Sequence, residues 1–352
     1  MPRKFGLKFL VALLDSMQET QQAARLGEKK NFDTILLTDN LGYRSTWVLL
    51  GSLASELKTN FGVSGTWLYS RNPVDTATSA ATITELMRGG EFQLGITPGN
   101  RIVVGAFART SPVRFIRESM LAIRKLLTGE VIDWNDYPTL SEVTNYSKIG
   151  KTRMFFSPTK PIPIMLSSVG PKLLSMAGEF ADGVFFDSQQ PNQGLMAIAR
   201  NLFDEISGSR EIELGRKKSK IKEFKKVYGI SISISRDATK AKEWAKREAG
   251  AVLASKSDQL LSLVGVDPKL VSACRRAQDE AGGFEAVAKF VPDDVVDSMI
   301  INGTPAQCCD RVSEVVKFAE SKGFTEFTFI APLGPSLLES VELLGSEVVP
   351  SL

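Results

Sequence analysis

Not one of the 352 residues is histidine. That removes Ser-His-Asp and Cys-His nucleophile activation, the HExxH zinc site and any imidazole base, so proton transfer falls to carboxylates, lysines, tyrosines, the backbone or a cofactor. Two ionisable residues stand where their types are least expected. Asp39 closes the apolar run ILLT, and the next helical pattern begins near Ser45, too far on for a direct cap, which favours a site role. Lys8 interrupts the apolar stretch KFGLKFL. An unpaired buried ammonium is costly, so Lys8 either meets a carboxylate inside the fold or lies at a solvated edge. Small polar residues recur where apolar runs end: Thr38-Asp39-Asn40, Gly65-Thr66, Thr97-Pro98-Gly99-Asn100, Ser167-Ser168-Val169-Gly170, Asp187-Ser188 and Ala331-Pro332-Leu333-Gly334-Pro335. Such residues let a backbone approach a flat, phosphorylated ligand, and Gly170 at the start of a helix offers amides and a dipole to an anion. Each motif taken alone reads more readily as an ordinary turn.

The elements that must carry these residues alternate along the chain. Apolar runs at 4–14, 32–40, 60–70, 91–100, 161–170, 182–188, 227–237 and 323–334 read as eight strands, with helical patterns between nearly all of them. Eight such repeats predict an α/β fold, a (β/α)8 TIM barrel, with a doubly wound open sheet as the alternative. In a barrel the chemistry lies at the C-terminal strand ends, where the polar clusters fall. Two stretches break the alternation: a polar, aromatic connector at 131–160 and a mostly helical one at 237–303. The expected organisation is one domain over 1–352 with 237–303 as a helical insertion between strands seven and eight. At its end Thr304 caps a helix and Pro305 fills the first turn.

Composition narrows the function. With 43% hydrophobic and 24% charged residues the chain can bury a sizeable core. Lys and Arg exceed Asp and Glu by 43 − 40 = 3, too little to argue for nucleic acid. The basic run Arg210–Lys226 reads as a solvated face before it reads as a contact for a polyanionic tail. Cys274, Cys308 and Cys309 form neither a disulfide framework nor a metal spacing, which suits a reducing cytoplasm. The opening MPRKFGLKFLVALLD reads as a first strand, not a leader, and no apolar stretch reaches the roughly 18 to 20 residues of a membrane span. GxGxxG, GxxxxGK[ST] and CxxC are absent, so nucleotide-binding Rossmann, P-loop and thiol-redox readings lack their fingerprints.

The collinear blocks KFGLKF, FDTILLTDN, GVSGTWLYSRNP, GEFQLGITPGN, PIPIMLSSVGPKLLSMAGEFADGV, NGTPAQCCDRV and TEFTFIAPLGPSLLESVELLG resemble the luciferase-like superfamily, in its branch that uses the deazaflavin coenzyme F420. The last block, with PLGP, is most like that of methylenetetrahydromethanopterin reductases, one-carbon enzymes of archaeal type. The resemblance implies a barrel with the deazaflavin ring at the strand ends and its phosphate-bearing tail near Gly170. It implies a bulge in strand three with a non-prolyl cis peptide at Gly65 and Thr66. It makes Thr38, Asn40, Gly65, Thr66, Thr97, Gly99, Asn100, Ser167, Ser168, Val169 and Gly170 the cofactor-binding set, and Asp39 and Lys8 the catalytic pair.

The implied activity is hydride transfer between coenzyme F420 and a one-carbon pterin carrier. The alternatives are an F420-dependent alcohol or ketone reductase, an FMN-dependent monooxygenase, or a paralogue that binds cofactor without catalysis. The partners are then the deazaflavin and a small-molecule substrate, with neither membrane nor nucleic acid, and the resemblance adds a homo-oligomer. The sequence departs from the family pattern at four places. Asn40 and Asn72 stand where the family usually has histidines, Lys8 where the reductases carry a Glu, and Val169 where they carry a Gln.

Overall fold

The computed structural model describes residues 2–11, 16–100, 104–106, 111–187, 224–263, 265–281 and 284–352. All eight expected strands form: β1 (Lys4–Phe9), β2 (Thr34–Leu37), β3 (Asn60–Trp67), β4 (Phe92–Thr97), β7 (Ile164–Ser167), β8 (Gly183–Phe186), β9 (Lys225–Ile234) and β11 (Glu326–Leu333). They follow one another in the order β9-β11-β1-β2-β3-β4-β7-β8, and β8 pairs back onto β9, so the sheet is a closed eight-stranded barrel. Strands paired in parallel need crossover helices, and these are present: α1 (Met17–Lys29), α2 (Thr46–Ala54), α3 (Pro73–Leu86), α4 (Pro112–Leu127), α6 (Pro171–Phe180) and α12 (Pro305–Ser321). The helix expected at 192–207, residues 12–14 of the first strand and most of the run Arg210–Lys226 lie outside the described residues.

The chain divides into two compact units, one of Met1–Ile35, Phe186–Arg200 and Val227–Leu352, the other of Leu36–Phe185 and Asn201–Lys226. In the second unit, continuous apolar strands are buried on both faces. Leu37, Val63, Phe92, Leu94, Ile96 and Leu166 of its strands and Leu50, Phe115 and Ile123 of its helices all have almost no exposure. A buried ion pair fixes its N-terminal strand ends. The Arg124 guanidinium bonds Asp182 at 2.9 and 3.2 Å and the Phe180 carbonyl at 3.0 Å, while Asp182 also accepts the Ile164 amide at 2.9 Å. This lies at the barrel end that serves stability, away from the polar strand ends.

The connector at 131–160 is more ordered than its composition suggests. Ile132–Asp133 (β5) and Lys151–Thr152 (β6) form a small antiparallel pair around the short helix α5 (Pro138–Thr144).

The first unit contains β1, β9 and β11 and the segment 237–303. That segment folds as α7 (Ala238–Ser255), α8 (Asp258–Leu263), α9 (Pro268–Ala281), α10 (Phe284–Ala288) and α11 (Asp293–Met299). Its helices enclose an apolar cluster of their own that includes Ala249, Leu253, Val271, Cys274, Val287 and Val296. It ends in β10 (Ile301–Gly303), a parallel strand added outside the ring on β9. After it, α12 starts with Pro305 in its first turn, and the Thr304 amide donates to the Gln307 side chain at 2.9 Å.

Candidate active site

At the C-terminal end of β3 the pairing with β4 slips by one residue between Val63 and Thr66, and Gly65 in the slip has φ 93°. An L side chain rarely adopts that angle, and a Cβ on Gly65 would lie 3.1 Å from Thr97 Cγ2. The bulge expected at this point is present. The cis peptide is not: among the described residues the cis bond is Ala331-Pro332, because the positive φ of Gly65 makes the bend with trans bonds.

Asp39 fastens the bulge. Its carboxylate is 5% exposed and receives four donors: Thr66 Oγ1 at 2.5 Å, Arg71 Nε at 2.5 Å, Trp47 Nε1 at 3.1 Å, and Arg71 Nη2 at 3.1 Å on the other oxygen. One carboxylate thus holds the end of β2, helix α2, the β3 bulge and the turn after it. A carboxylate so engaged is charge-paired and oriented, a structural anchor more than a free base.

The other residues singled out in the sequence take mixed roles. The Thr38 carbonyl accepts the Thr46 hydroxyl at 2.6 Å, and the Asn40 carbonyl accepts the Tyr43 amide at 3.3 Å. Thr97 Oγ1 accepts the Gly99 amide at 3.3 Å, and the Asn100 carbonyl accepts the Val104 amide at 2.9 Å. After β7, whose last residue is Ser167, the Ser168 hydroxyl accepts the Gly170 amide at 3.2 Å, and Val169 beside it is half-buried. Gly170's own amide is therefore engaged within the turn. Its φ of −75° is ordinary, and a Cβ there would meet only Ser168 Oγ, at 3.9 Å. Neither backbone conformation nor packing requires a glycine at this position, and its missing side chain leaves the space ahead of α6 open.

Asn72 is a helix cap: its Oδ1 accepts the Asp75 amide at 2.8 Å. Asn before Pro73 with an acid three residues on is a legible capping pattern. Two buried polar atoms that sequence reasoning passed over have no partner among the described residues: Ser64 Oγ, immediately before Gly65, and Tyr69 Oη, just beyond β3. The Tyr69 ring stacks on Phe115 with centroids 4.4 Å apart, and burial pushes its phenol up, so it keeps its proton as a donor. Buried hydroxyls normally find a hydrogen-bond partner.

In the first unit Lys8, 9% exposed on β1, donates to the Asp187 carboxylate at the end of β8. Of the two readings open for Lys8, the buried ion pair is the one observed.

A family model described as luciferase-like monooxygenase matches residues 7–322. The chain belongs to the luciferase-like monooxygenase family. Among family relatives, it is 28% identical over 355 residues, 99% of each chain, to the 5,10-methylenetetrahydromethanopterin reductase of Archaeoglobus fulgidus. It is also 28% identical to that of Methanolobus tindarius, over 98% of this chain and 99% of the relative. Among solved structures, the coenzyme F420-dependent tetrahydromethanopterin reductase of Methanopyrus kandleri superposes with a TM-score of 0.75 at 21% identity, covering 99% of both chains. An F420-dependent secondary alcohol dehydrogenase gives 0.72 at 18%, covering 100% and 99%. These two superpositions establish the barrel fold.

Proposed function

We propose that this chain is a coenzyme F420-dependent oxidoreductase that moves hydride between the deazaflavin and a one-carbon pterin carrier. The end-to-end likeness to the methylenetetrahydromethanopterin reductases carries the reading. Three features of the second unit support it: the bulged end of β3, the open space at Gly170 and the unpartnered hydroxyls of Ser64 and Tyr69. When bound, the coenzyme supplies the hydride chemistry. Thr38, Asn40, Gly65, Thr66, Thr97, Gly99, Asn100, Ser167, Ser168, Val169 and Gly170 hold it. The small side chains let its rings and phosphates lie against backbone. Asp39 fixes the Thr66 side of that surface. Lys8 is the residue assigned to the reacting end of the substrate.

Lys8 also favours a second reading, because an ammonium polarises a carbonyl or alcohol oxygen directly. The substrate is then an alcohol or ketone, as for the alcohol dehydrogenase of the same fold. One experiment separates the possibilities. Purified protein is mixed with reduced F420, and deazaflavin absorbance is followed on adding methylenetetrahydromethanopterin or, separately, simple ketones. Reoxidation with the pterin supports the first reading, and reoxidation with ketones alone moves the substrate. No F420 binding, with flavin mononucleotide bound in its place, overturns both. The three cysteines are free, which supports work in a reducing cytoplasm.

A further inference from the structure

Tyr69 stands in a turn that one carboxylate closes from both ends. Thr66 before it and Arg71 after it both donate to Asp39 Oδ2, each at 2.5 Å, and the Ser70 and Arg71 amides both donate to the Trp67 carbonyl at 3.0 Å. Trp67 pairs in register with Thr97, so the turn leaves the barrel beside the end of β4. The Tyr69 ring stacks on Phe115 of α4, with centroids 4.4 Å apart and planes 8° from parallel, and Phe115 is itself fully buried. Backbone and ring are both held, which fixes the phenol oxygen at the tip.

That oxygen is buried and has no hydrogen-bond partner among the described residues. Ser64 and Ser119 share the condition, but a serine hydroxyl can rotate to a backbone carbonyl near its own residue. A phenol cannot, because its oxygen sits at the far end of a rigid ring and needs a partner brought from elsewhere. Tyr228 is a second phenol without a partner. It lies in the first half of β9, its ring centroid 5.9 Å from that of Phe186 and 5.5 Å from that of Phe324, in an apolar cluster. Tyr69 instead follows the C-terminal end of β3, the end of a barrel strand where chemistry is placed.

We propose that Tyr69 is a ligand-binding residue whose hydroxyl donates a hydrogen bond to the carbonyl oxygen of a pyrimidinone ring, with Phe115 as its positioning residue. The inference rests on the hydride-transfer reading above, which supplies two such rings, one in the deazaflavin and one in the pterin. Both present a carbonyl acceptor at the ring edge. Burial keeps the phenol protonated, so it meets that acceptor as a neutral donor. The proton stays on Tyr69, and the bond orients the ring without entering the hydride step.

The test uses the full chain with Tyr69→Phe, Phe115→Leu and the two combined. Tyr69→Phe removes one oxygen and keeps the ring, so the melting temperature of the apo protein should hold or rise. F420 affinity is read from its fluorescence, and KM for methylenetetrahydromethanopterin from deazaflavin absorbance at saturating F420. If the bonded ring is the deazaflavin, Tyr69→Phe should weaken F420 binding about 3- to 10-fold and leave the pterin KM as it is. If it is the pterin, the KM should rise by that factor at unchanged F420 affinity. Phe115→Leu should weaken the same quantity while the hydroxyl is present and add nothing once it is gone; an equal loss in both backgrounds overturns its positioning role. F420 affinity and pterin KM both unaltered in Tyr69→Phe overturn the assignment and give the hydroxyl an ordered water as its partner. A lowered apo melting temperature in Tyr69→Phe also overturns it, since the partner is then within the protein. Failure of the native protein to bind F420 instead overturns the hydride-transfer reading, which separates the two.

Discussion

Arg71 grips Asp39 with two bonds, Nε to Oδ2 at 2.5 Å and Nη2 to Oδ1 at 3.1 Å, and the same Oδ2 takes the Thr66 hydroxyl at 2.5 Å. The pair joins the end of β2 to the turn after β3, and through Thr66 it sets the bulge between them. Removing the anion leaves a half-buried guanidinium and two buried donors without their acceptor. Asp39→Ala should therefore lose about 3 kcal/mol of stability, measured by urea unfolding, and bind F420 more weakly. Asp39→Asn retains an acceptor of the same shape and should lose less.

Gly65 is needed for its backbone angle. Gly65→Ala puts a Cβ at φ 93°, 3.1 Å from Thr97 Cγ2, and should cost about 1 to 2 kcal/mol before any ligand is considered. Thermal unfolding of apo protein checks this, and an unaltered melting temperature would mean that the bulge is relaxed in solution.

Gly170 gives the opposite expectation. Its φ is ordinary and its Cβ position nearly empty, so Gly170→Ala should leave apo stability unchanged or raise it by about 0.4 to 1 kcal/mol. If the coenzyme's phosphate-bearing tail lies there, F420 affinity should fall about tenfold as the methyl group displaces it, a penalty near 1.4 kcal/mol. Stability and affinity moving in opposite directions distinguish a ligand role from a turn.

Acid should weaken the Arg3–Glu320 pair. The Arg3 guanidinium bonds Glu320 at 2.7 and 2.9 Å and holds its carboxyl below the 4.5 of an ordinary glutamate. A folded-state value below the unfolded one stabilises at pH above 4.5, and the contribution fades as the pH falls through the lowered value. Both side chains are about one-third exposed, so the effect is on the order of 0.2 to 1 kcal/mol. Arg3→Gln should flatten the melting temperature between pH 5 and pH 3 relative to the parent.

Thiol reactivity should follow burial. Cys308 is fully buried and its thiol is pushed up to about 12, mainly by burial; Cys274 is raised for the same reason. At pH 8 the native protein should leave both unlabelled by a thiol-disulfide reagent, whereas all three cysteines should react after denaturation.

Much of this was readable along the chain. Runs such as TILL and IMLS, apolar on both sides, declared strands covered by helices, and their eightfold alternation with helical patterns declared the barrel. Thr304-Pro305 announced its helix start, and Asp39 and Lys8 stood out as charges in apolar surroundings. Asn72-Pro73 with Asp75 also carried a capping signal, but at the site of a missing histidine it drew a functional reading first.

Sequence by itself determined what is local or periodic: strand type, helix caps and the absence of imidazole chemistry, because neighbours in the chain decide these. Tertiary structure decided which distant residues meet. Asp39 and Arg71 are 32 positions apart and Lys8 and Asp187 are 179, and no spacing rule pairs them. Whether Gly65 turns by a cis bond or a positive φ depends on the register of β3 against β4, and whether Lys8 is solvated or buried depends on what the end of β8 brings to it. Closing the sheet sets both, since a charge's surroundings are fixed only when the strands around it are in place.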